Sequence, residues 1–207
     1  MTHRVRNVLG LVQWISNQTI RSASTLPEFK EMFEARLLAL VRAQELIADD
    51  PKIPTDLGAL LGRALEPFGP RRFAMSGKPT GVPREFITSL ALLIHEIGTN
   101  SVKYGALSVP EGIIQIRWHS EHDRGRLDWK ETNGPPVAAP LRTGFGSRLM
   151  KRAFPPDHGS ASIAFEPDGV QCQILFPALP RRTEQPRSTA SIKTPRFWER
   201  SRDMRET

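Results

Sequence analysis

Three polar residues on one predicted helix are the first candidates for chemistry in this 207-residue chain. Glu96, Asn100 and Lys103 are spaced by four and then three residues, which places their side chains on one helical face. A carboxylate, an amide oxygen and an ammonium group on one stripe suit a metal-bound triphosphate, because hard oxygens bind Mg²⁺ and the cation binds phosphate. A solvated polar face is the commoner meaning of such spacing, so the spacing alone leaves both interpretations open.

A glycine pair and a second carboxylate follow along the chain. Gly144 and Gly146 precede another predicted helix, where glycine lets backbone N–H groups approach phosphate and the helix N-terminus favours an anion. Upstream, Glu131 follows a predicted strand and offers a carboxylate that could accept a hydrogen bond from an adenine amino group. Taken singly, the glycines are as compatible with a tight turn, and Glu131 with an exposed position. Their order after the helix stripe is what favours a nucleotide site.

The N-terminal segment is expected to form two helices joined by a short turn. Over residues 3–24 the stripe residues recur every three or four positions, and residues 25–28 match a capping box with a proline near the start of a second helix. A two-helix hairpin is too thin to bury both stripes, so we expect a homodimer that forms a four-helix bundle. The stripes comprise Val5, Val8, Val12, Ile15 and Thr19 in the first helix and Phe33, Leu37, Leu40 and Ile47 in the second.

Residues 49–51 are expected to end this helical region, because the residue before a proline is biased away from helix. We therefore predict a helical domain over residues 1–50 and a second domain over residues 51–179. The second domain mixes helices and strands, so the predicted fold class is α+β with an α/β sandwich. Its predicted elements are helices at 57–65, 83–104 and 146–154, strands at 113–118 and 127–129, and a hairpin of strands at 162–165 and 171–176.

The composition argues against several other classes of protein. The longest apolar run, residues 90–94, is far shorter than the roughly 20 residues of a membrane span, so we expect a cytoplasmic protein without a membrane partner. Residues 180–207 carry eight Lys or Arg against four Asp or Glu, and therefore +4 of the net charge of +7. This basic tail is expected to be disordered, and nucleic acid is not the expected partner. Cys172 lies in an alternating run and is expected in the core.

Taken together, the motifs resemble the HWE family of bacterial sensor histidine kinases, whose ATP-binding domains have the Bergerat fold. The resemblance covers approximately residues 3–177, and its most specific segments are residues 3–7, 95–108, 129–131 and 144–146. The family implies a kinase core that binds ATP with Mg²⁺, autophosphorylates a histidine and passes the phosphoryl group to an aspartate of a response-regulator receiver domain. The input would come from an upstream sensor protein or sensor domain.

The resemblance also implies a role for each matching residue. His3 would be the phosphoacceptor, His95 the family's distinguishing histidine in the nucleotide-binding helix, and Glu96 a residue that polarises the reaction. Asn100 would bind Mg²⁺, with Glu96 as a possible second metal ligand. The remaining nucleotide-binding positions would be Lys103 at the phosphates, Tyr104 beside the nucleotide, Glu131 at the adenine, Gly134, and a mobile lid formed by Gly144, Phe145 and Gly146.

Some positions depart from the family pattern. Gly98 stands where alanine is usual, which lowers helix stability by about 1 kcal/mol. Asn133 stands where a glycine is expected, while Gly134 can still take a positive φ. Only Met1 and Thr2 precede His3, so fraying of the first turn is expected to affect its position. Two alternatives stay open: a catalytically weak dimeric phosphotransfer or scaffold protein, and a regulatory ATP-binding module that acts on serine.

Overall fold

Two long helices open the chain, and helices and strands alternate after them. The structure is a computed structural model that describes residues 2–48, 54–137, 145–153 and 159–179. Short 3₁₀ turns lie at Glu66–Phe68, Pro70–Arg72 and Ala106–Ser108. The elements are α1 (Thr2–Ile20), α2 (Leu26–Ala48), β1 (Thr55–Asp56), α3 (Leu57–Leu65), β2 (Phe73–Gly77), β3 (Gly81–Val82), α4 (Arg84–Tyr104), β4 (Ile113–Glu121), β5 (Arg124–Thr132), α5 (Phe145–Ala153), β6 (Ser160–Glu166) and β7 (Gly169–Pro177).

The turn between α1 and α2 is stabilised by the predicted capping residues. The backbone N–H of Glu28 donates to Thr25 Oγ1 at 3.3 Å, and the Glu28 carboxylate accepts the N–H of Ser24 at 2.7 Å. A full capping box would return the carboxylate to the N–H of Thr25, so the observed pairing is shifted by one residue. The two helices therefore form the predicted hairpin, with the chain direction reversed over residues 21–25.

A five-stranded sheet in the order β2-β4-β5-β7-β6 carries the core of the second half of the chain. Strand β2 pairs parallel with β4, and the other neighbours pair antiparallel. The alternating pattern predicted the β6–β7 hairpin, but β2 was not predicted, because it is short and mostly exposed. Side chains from three strands form one core with helices α3 and α4: Ile114, Ile116, Leu127, Trp129, Cys172, Ile174 and Phe176. The predicted α+β fold class is confirmed.

The hairpin packs against α4, with α2 and α4 running antiparallel. Arg36 contacts Glu96, Gln44 Nε2 donates to Thr88 Oγ1 at 3.1 Å, and the carbonyl of Ile47 accepts a bond from Arg84 at 2.7 Å. Part of the apolar stripe that we expected a second copy to cover is therefore covered by the same chain. Val5, Leu9, Leu38 and Val41 stay exposed, so the homodimer remains a prediction.

The predicted domain boundary near residue 50 and the predicted disordered tail from residue 180 lie outside the described residues. Burial raises the pKa of the Cys172 thiol to about 12, as expected for a cysteine in the core. Across the described ranges, no helix has both the length and the hydrophobicity that a membrane span requires.

Candidate functional site

The polar stripe of α4 meets the start of α5, as the nucleotide-site hypothesis requires. An added Cβ on Gly146 would lie 3.9 Å from the Glu96 Cβ, so the two helices approach closely at this point. Asn100 and Lys103 lie one and two turns further along α4, and both are exposed. The structure therefore brings Glu96 and Gly146 together and leaves Asn100 and Lys103 exposed further along the same helix, whereas Gly144 lies outside the described residues.

Glu96 is buried and ion-paired with a residue of the hairpin. Arg36 is 3% exposed and Glu96 6%, and the guanidinium donates to both carboxylate oxygens at 2.7 and 2.9 Å. A further N–H of Arg36 donates to Thr19 Oγ1 at 2.8 Å, and that hydroxyl donates to the carbonyl of Ile15 at 2.7 Å. Both Glu96 oxygens are thus engaged by Arg36 in this arrangement, which leaves the carboxylate poorly placed to bind a metal.

Phe145, at the first position of α5, lies under the hairpin. The Arg36 guanidinium carbon is 3.8 Å from the centre of the Phe145 ring, and the Trp14 ring centre is 5.0 Å from it. Phe145 is buried between these groups and does not face an open site. Neither Arg36 nor Trp14 was predicted from the sequence, although one signal was present: Arg36 interrupts the apolar stripe of α2 three residues after Phe33 and four before Leu40.

Glu131 is a second buried carboxylate, and its partners are local. It is 2% exposed; the N–H of Ala106 donates to it at 2.7 Å and the indole N–H of Trp129 at 3.3 Å. Burial raises the pKa of Glu131, and hydrogen bonds from Ala106, Trp129 and Ser101 partly oppose that shift. In this conformation the carboxylate holds the turn that follows α4, rather than facing an open pocket.

Close packing around that turn explains two glycines. A Cβ at Gly105 would overlap the Glu131 carboxylate, and a Cβ at Gly134 would lie 2.8 Å from the Ala106 Cα. The positive φ of the loop falls on Asn133, at 58°, and not on Gly134. Asparagine tolerates this left-handed conformation better than most residues. Gly134 is instead needed for contact between the loop and residues 105–106.

Arg72 stabilises the same turn from its other side, and no sequence signal indicated this role. Its guanidinium donates to the carbonyls of Ala106 at 3.0 Å, Leu107 at 3.2 Å and Gly112 at 3.0 Å, and also contacts the carbonyl of Val109. A guanidinium can serve several acceptors at once because its N–H groups point outward in a fixed plane. The loop between α4 and β4 is therefore anchored directly beside Lys103 and Tyr104.

His95 and Tyr104, also on α4, have contrasting surroundings. His95 is buried, its ring centre lies 5.3 Å from that of Phe68, and its Nδ1 has no hydrogen-bond partner among the described residues. Burial lowers the pKa of His95, which Glu96 partly opposes and Arg42 and Arg36 reinforce. Tyr104 is 70% exposed and so available to a ligand.

His3 lies in α1, far from this cluster. Helix α2 runs antiparallel to both α1 and α4. Lys103 therefore lies closer to the hairpin turn than Glu96 does. His3 lies at the opposite end of α1, away from that turn. The helical rise puts His3 roughly 24 Å along α1 from Thr19. The structure therefore does not bring the predicted phosphoacceptor to the predicted nucleotide site.

Sequence comparisons place these observations among known proteins. The family model described as HWE histidine kinase matches residues 1–79. A blue-light-activated histidine kinase of Brucella anthropi is 34% identical over 185 residues, covering 86% of this chain and 38% of that protein. The corresponding protein of Brucella ovis is 32% identical over 188 residues, covering 87% and 38%. The chain thus spans well under half the length of these curated relatives.

Solved structures show the same fold. The histidine kinase domain of the Erythrobacter litoralis EL346 blue-light activated histidine kinase superposes with a TM-score of 0.60 at 19% identity, covering 82% of this chain and 83% of that one. A longer structure of the same kinase gives a TM-score of 0.63 at 17% identity, covering 84% of this chain and 59% of that one. At these identities the likeness concerns the arrangement of helices and strands.

Proposed function

Because the chain belongs to the HWE histidine kinase family, we propose that it binds ATP with Mg²⁺, phosphorylates His3, and passes the phosphoryl group to an aspartate of a response-regulator receiver domain. The observation that carries the proposal is the approach of α4 to the start of α5, where Glu96 lies against Gly146, with Asn100 and Lys103 one and two turns further along α4. We propose two domains: residues 1–50 carry the acceptor histidine, and residues 51–179 bind the nucleotide.

The phosphate end of the site fits a metal-bound triphosphate. Asn100 offers an amide oxygen and Lys103 an ammonium group, both exposed and neither hydrogen-bonded nor ion-paired within the described part of the chain. Mg²⁺ commonly takes one or two protein ligands and completes its shell with phosphate oxygens and water, so Asn100 is a sufficient protein ligand. When bound, the metal would neutralise charge on the phosphates, and Lys103 would add to that effect.

At the adenine end of the proposed site, Glu131 is already hydrogen-bonded within the protein. Its carboxylate already accepts hydrogen bonds from Ala106, Trp129 and Ser101, which leaves acceptor capacity for about one more donor. We assign Glu131 two tasks: holding the turn beside Tyr104 and offering that remaining capacity to the adenine amino group. Gly134 permits the close packing of the turn, and Tyr104 is available to lie against the nucleotide.

In the transfer step, a ring nitrogen of His3 attacks the γ-phosphorus while the bond to the ADP oxygen breaks. The imidazole loses its ring proton to solvent or a nearby base, and ADP leaves with its negative charge facing Lys103; a Mg²⁺ held by Asn100 would add charge neutralisation there. His3 must first approach the site, because the docked hairpin holds it far away. A movement of the hairpin, or a second copy of the chain in the proposed homodimer, would provide that approach.

The test is to incubate purified protein with γ-labelled ATP and Mg²⁺ and to compare the wild type with His3→Ala, Asn100→Ala and Lys103→Ala. We expect His3→Ala to remove the label and the other two variants to reduce it strongly together with ATP binding. Arg117→Ala removes an exposed cation from β4 and serves as the matched control for Lys103→Ala. Label that is acid-labile and base-stable identifies phosphohistidine; full labelling of His3→Ala contradicts the acceptor assignment, and acid-stable label indicates a serine-directed module.

One observation favours a weak or inactive scaffold as the second candidate. In the docked arrangement Arg36 neutralises Glu96, and His3 lies remote from Asn100 and Lys103. A chain that stays in this arrangement would transfer phosphate slowly. Binding of ATP without detectable labelling of His3, in the presence of Mg²⁺, would support this second candidate.

A further inference from the structure

Arg36 connects the helical hairpin to two parts of the candidate site at once. Its guanidinium holds both oxygens of Glu96 and lies over the ring of Phe145, while Thr19 accepts a third bond and steadies it. We call Arg36, Glu96 and Phe145 the hairpin clasp. All three residues are buried, so the clasp exists only while the hairpin is docked on α4 and α5.

The clasp occupies groups that phosphoryl transfer requires. Glu96 cannot polarise a reacting group while both its oxygens accept bonds from a cation. Phe145 begins α5, directly before Gly146, so its burial under Arg36 and Trp14 ties the glycine turn to the hairpin. The same docking directs His3 away from Asn100 and Lys103.

We propose that the hairpin clasp is an autoinhibitory contact, and that Arg36 must leave Glu96 before His3 is phosphorylated. This autoinhibition rests on the proposed kinase function and describes how that function is regulated. The clasp stabilises a resting state. In this state nucleotide can bind at the exposed residues of α4, but His3 is too far away to be phosphorylated. Release frees Glu96, loosens α5 and lets the hairpin move in a single event.

The other hydrogen bonds between the hairpin and the rest of the chain are ones that water can replace. Gln44 bonds to Thr88, Arg84 to the carbonyl of Ile47, and Arg148 to Ser22. Once separated, Arg36 and Glu96 also regain full hydration, which removes the penalty of burying two charges. The hairpin also buries Ile15, Ala39, Leu40 and Ala43 in the apolar core, so release exposes these side chains unless another surface covers them. The proposal therefore requires two discrete arrangements of the same chain, docked and released.

Spin labels measure the docking directly. Cysteines introduced at the exposed positions Lys30 of α2 and Arg124 of β5 would carry the labels, because the native Cys172 is buried. We expect a single narrow distance for the wild type and a longer, broader distribution for Arg36→Gln. Arg42→Gln makes the same change six residues further along α2 and is expected to leave the distance unchanged.

Phosphorylation is measured on the same proteins. Arg36→Gln is expected to label His3 about tenfold faster than the wild type, in the range of ordinary coupling between two sites, while Arg42→Gln labels at the wild-type rate. A distance distribution unchanged by Arg36→Gln, or a labelling rate that is unchanged or lower, overturns the clasp. A chain that binds ATP but is unlabelled both as wild type and as Arg36→Gln overturns it as well.

A reversible bridge tests the clasp without altering it. Gln44→Cys and Thr88→Cys place thiols where the two native side chains meet, and a short bifunctional thiol reagent holds the hairpin docked until reductant removes it. We expect the bridge to lower His3 labelling about tenfold, with recovery on reduction and unchanged ATP binding. Equal labelling with and without the bridge overturns the clasp alone, whereas failure of the unbridged wild type to bind ATP contradicts the proposed function.

Discussion

Glu96 and Glu131 are both buried carboxylates of the candidate site, but their partners come from different parts of the chain. Glu96 is paired with a cation from the hairpin, 60 residues earlier in the sequence. Glu131 has no cationic partner among the described residues and relies on the N–H groups of Ala106 and Trp129 and the hydroxyl of Ser101, all from the α/β half. Burial accordingly raises the pKa of Glu131.

The difference divides the site into two ends. The partner of Glu96 is present only while the hairpin is docked, whereas the partners of Glu131 are present whether or not the hairpin is docked. Movement of the hairpin would return Glu96 to water and change its electrostatic surroundings, but it would leave every hydrogen bond of Glu131 in place. The phosphate end can therefore respond to the hairpin, whereas the turn that follows α4 is held by contacts within the α/β half.

The largest expected effect is on the ion pair. Arg36→Met leaves Glu96 buried without its cation, and we expect the free energy of unfolding to fall by up to about 3 kcal/mol. Undocking of the hairpin limits the loss by letting water reach the carboxylate. Replacing Glu96 with Leu in the same variant should recover much of the difference. Urea denaturation provides the values, and Arg126→Met, which breaks an exposed pair with Asp128, should leave the midpoint unchanged.

At Glu131, substitution by alanine removes the acceptor of the buried donors of Ala106, Trp129 and Ser101. We expect a loss of about 2 kcal/mol, because each unsatisfied buried N–H carries its own desolvation penalty. Glu131→Gln keeps one acceptor oxygen and should lose less. The contrast with Glu96 fails if Glu131→Ala also releases the hairpin, which the label distance between positions 30 and 124 would reveal.

A smaller effect concerns His95, the buried neighbour of Glu96. Because burial lowers its pKa, the neutral ring is favoured in the folded protein, so its contribution is full above the ordinary value of 6.5 and is lost as the pH falls through the lowered pKa. His95→Gln should therefore weaken the decline of stability below pH 6.5. Urea midpoints across that range check this, with the exposed His119→Gln as control. Equal pH dependence in wild type and variant would mean that the ring is hydrated in solution.

The smallest effect is expected at Gly98, where the structure accounts for the departure from alanine. A Cβ there would lie 2.6 Å from the ring of Phe68, which packs beside His95. Gly98→Ala should gain about 1 kcal/mol of helix propensity and lose a similar amount to this overlap, so its net effect is near zero. In a Phe68→Ala background the gain should appear in full, as a double-mutant cycle in urea would show. Additive effects would exclude the overlap.

Local patterns predicted most of the elements. Residues 57–65 were predicted as a helix with the observed bounds, and α4 begins one residue after its predicted start. These elements follow from apolar periodicity and capping residues, which act over a few positions. Strand β2 escaped prediction because it is held by parallel pairing with β4, 40 residues away, and only its first residue is partly buried.

The family, the α+β class and the polar stripe of α4 were predictable from the sequence, because each depends on residue types at short, regular spacing. The contacts of those polar groups were not predictable until the helices were packed together. The tertiary structure paired Glu96 with Arg36, seated Phe145 beneath the hairpin, and set His3 remote from Asn100. Such contacts depend on how the hairpin docks against α4, and docking is the sum of many weak contacts between distant segments that no local spacing specifies.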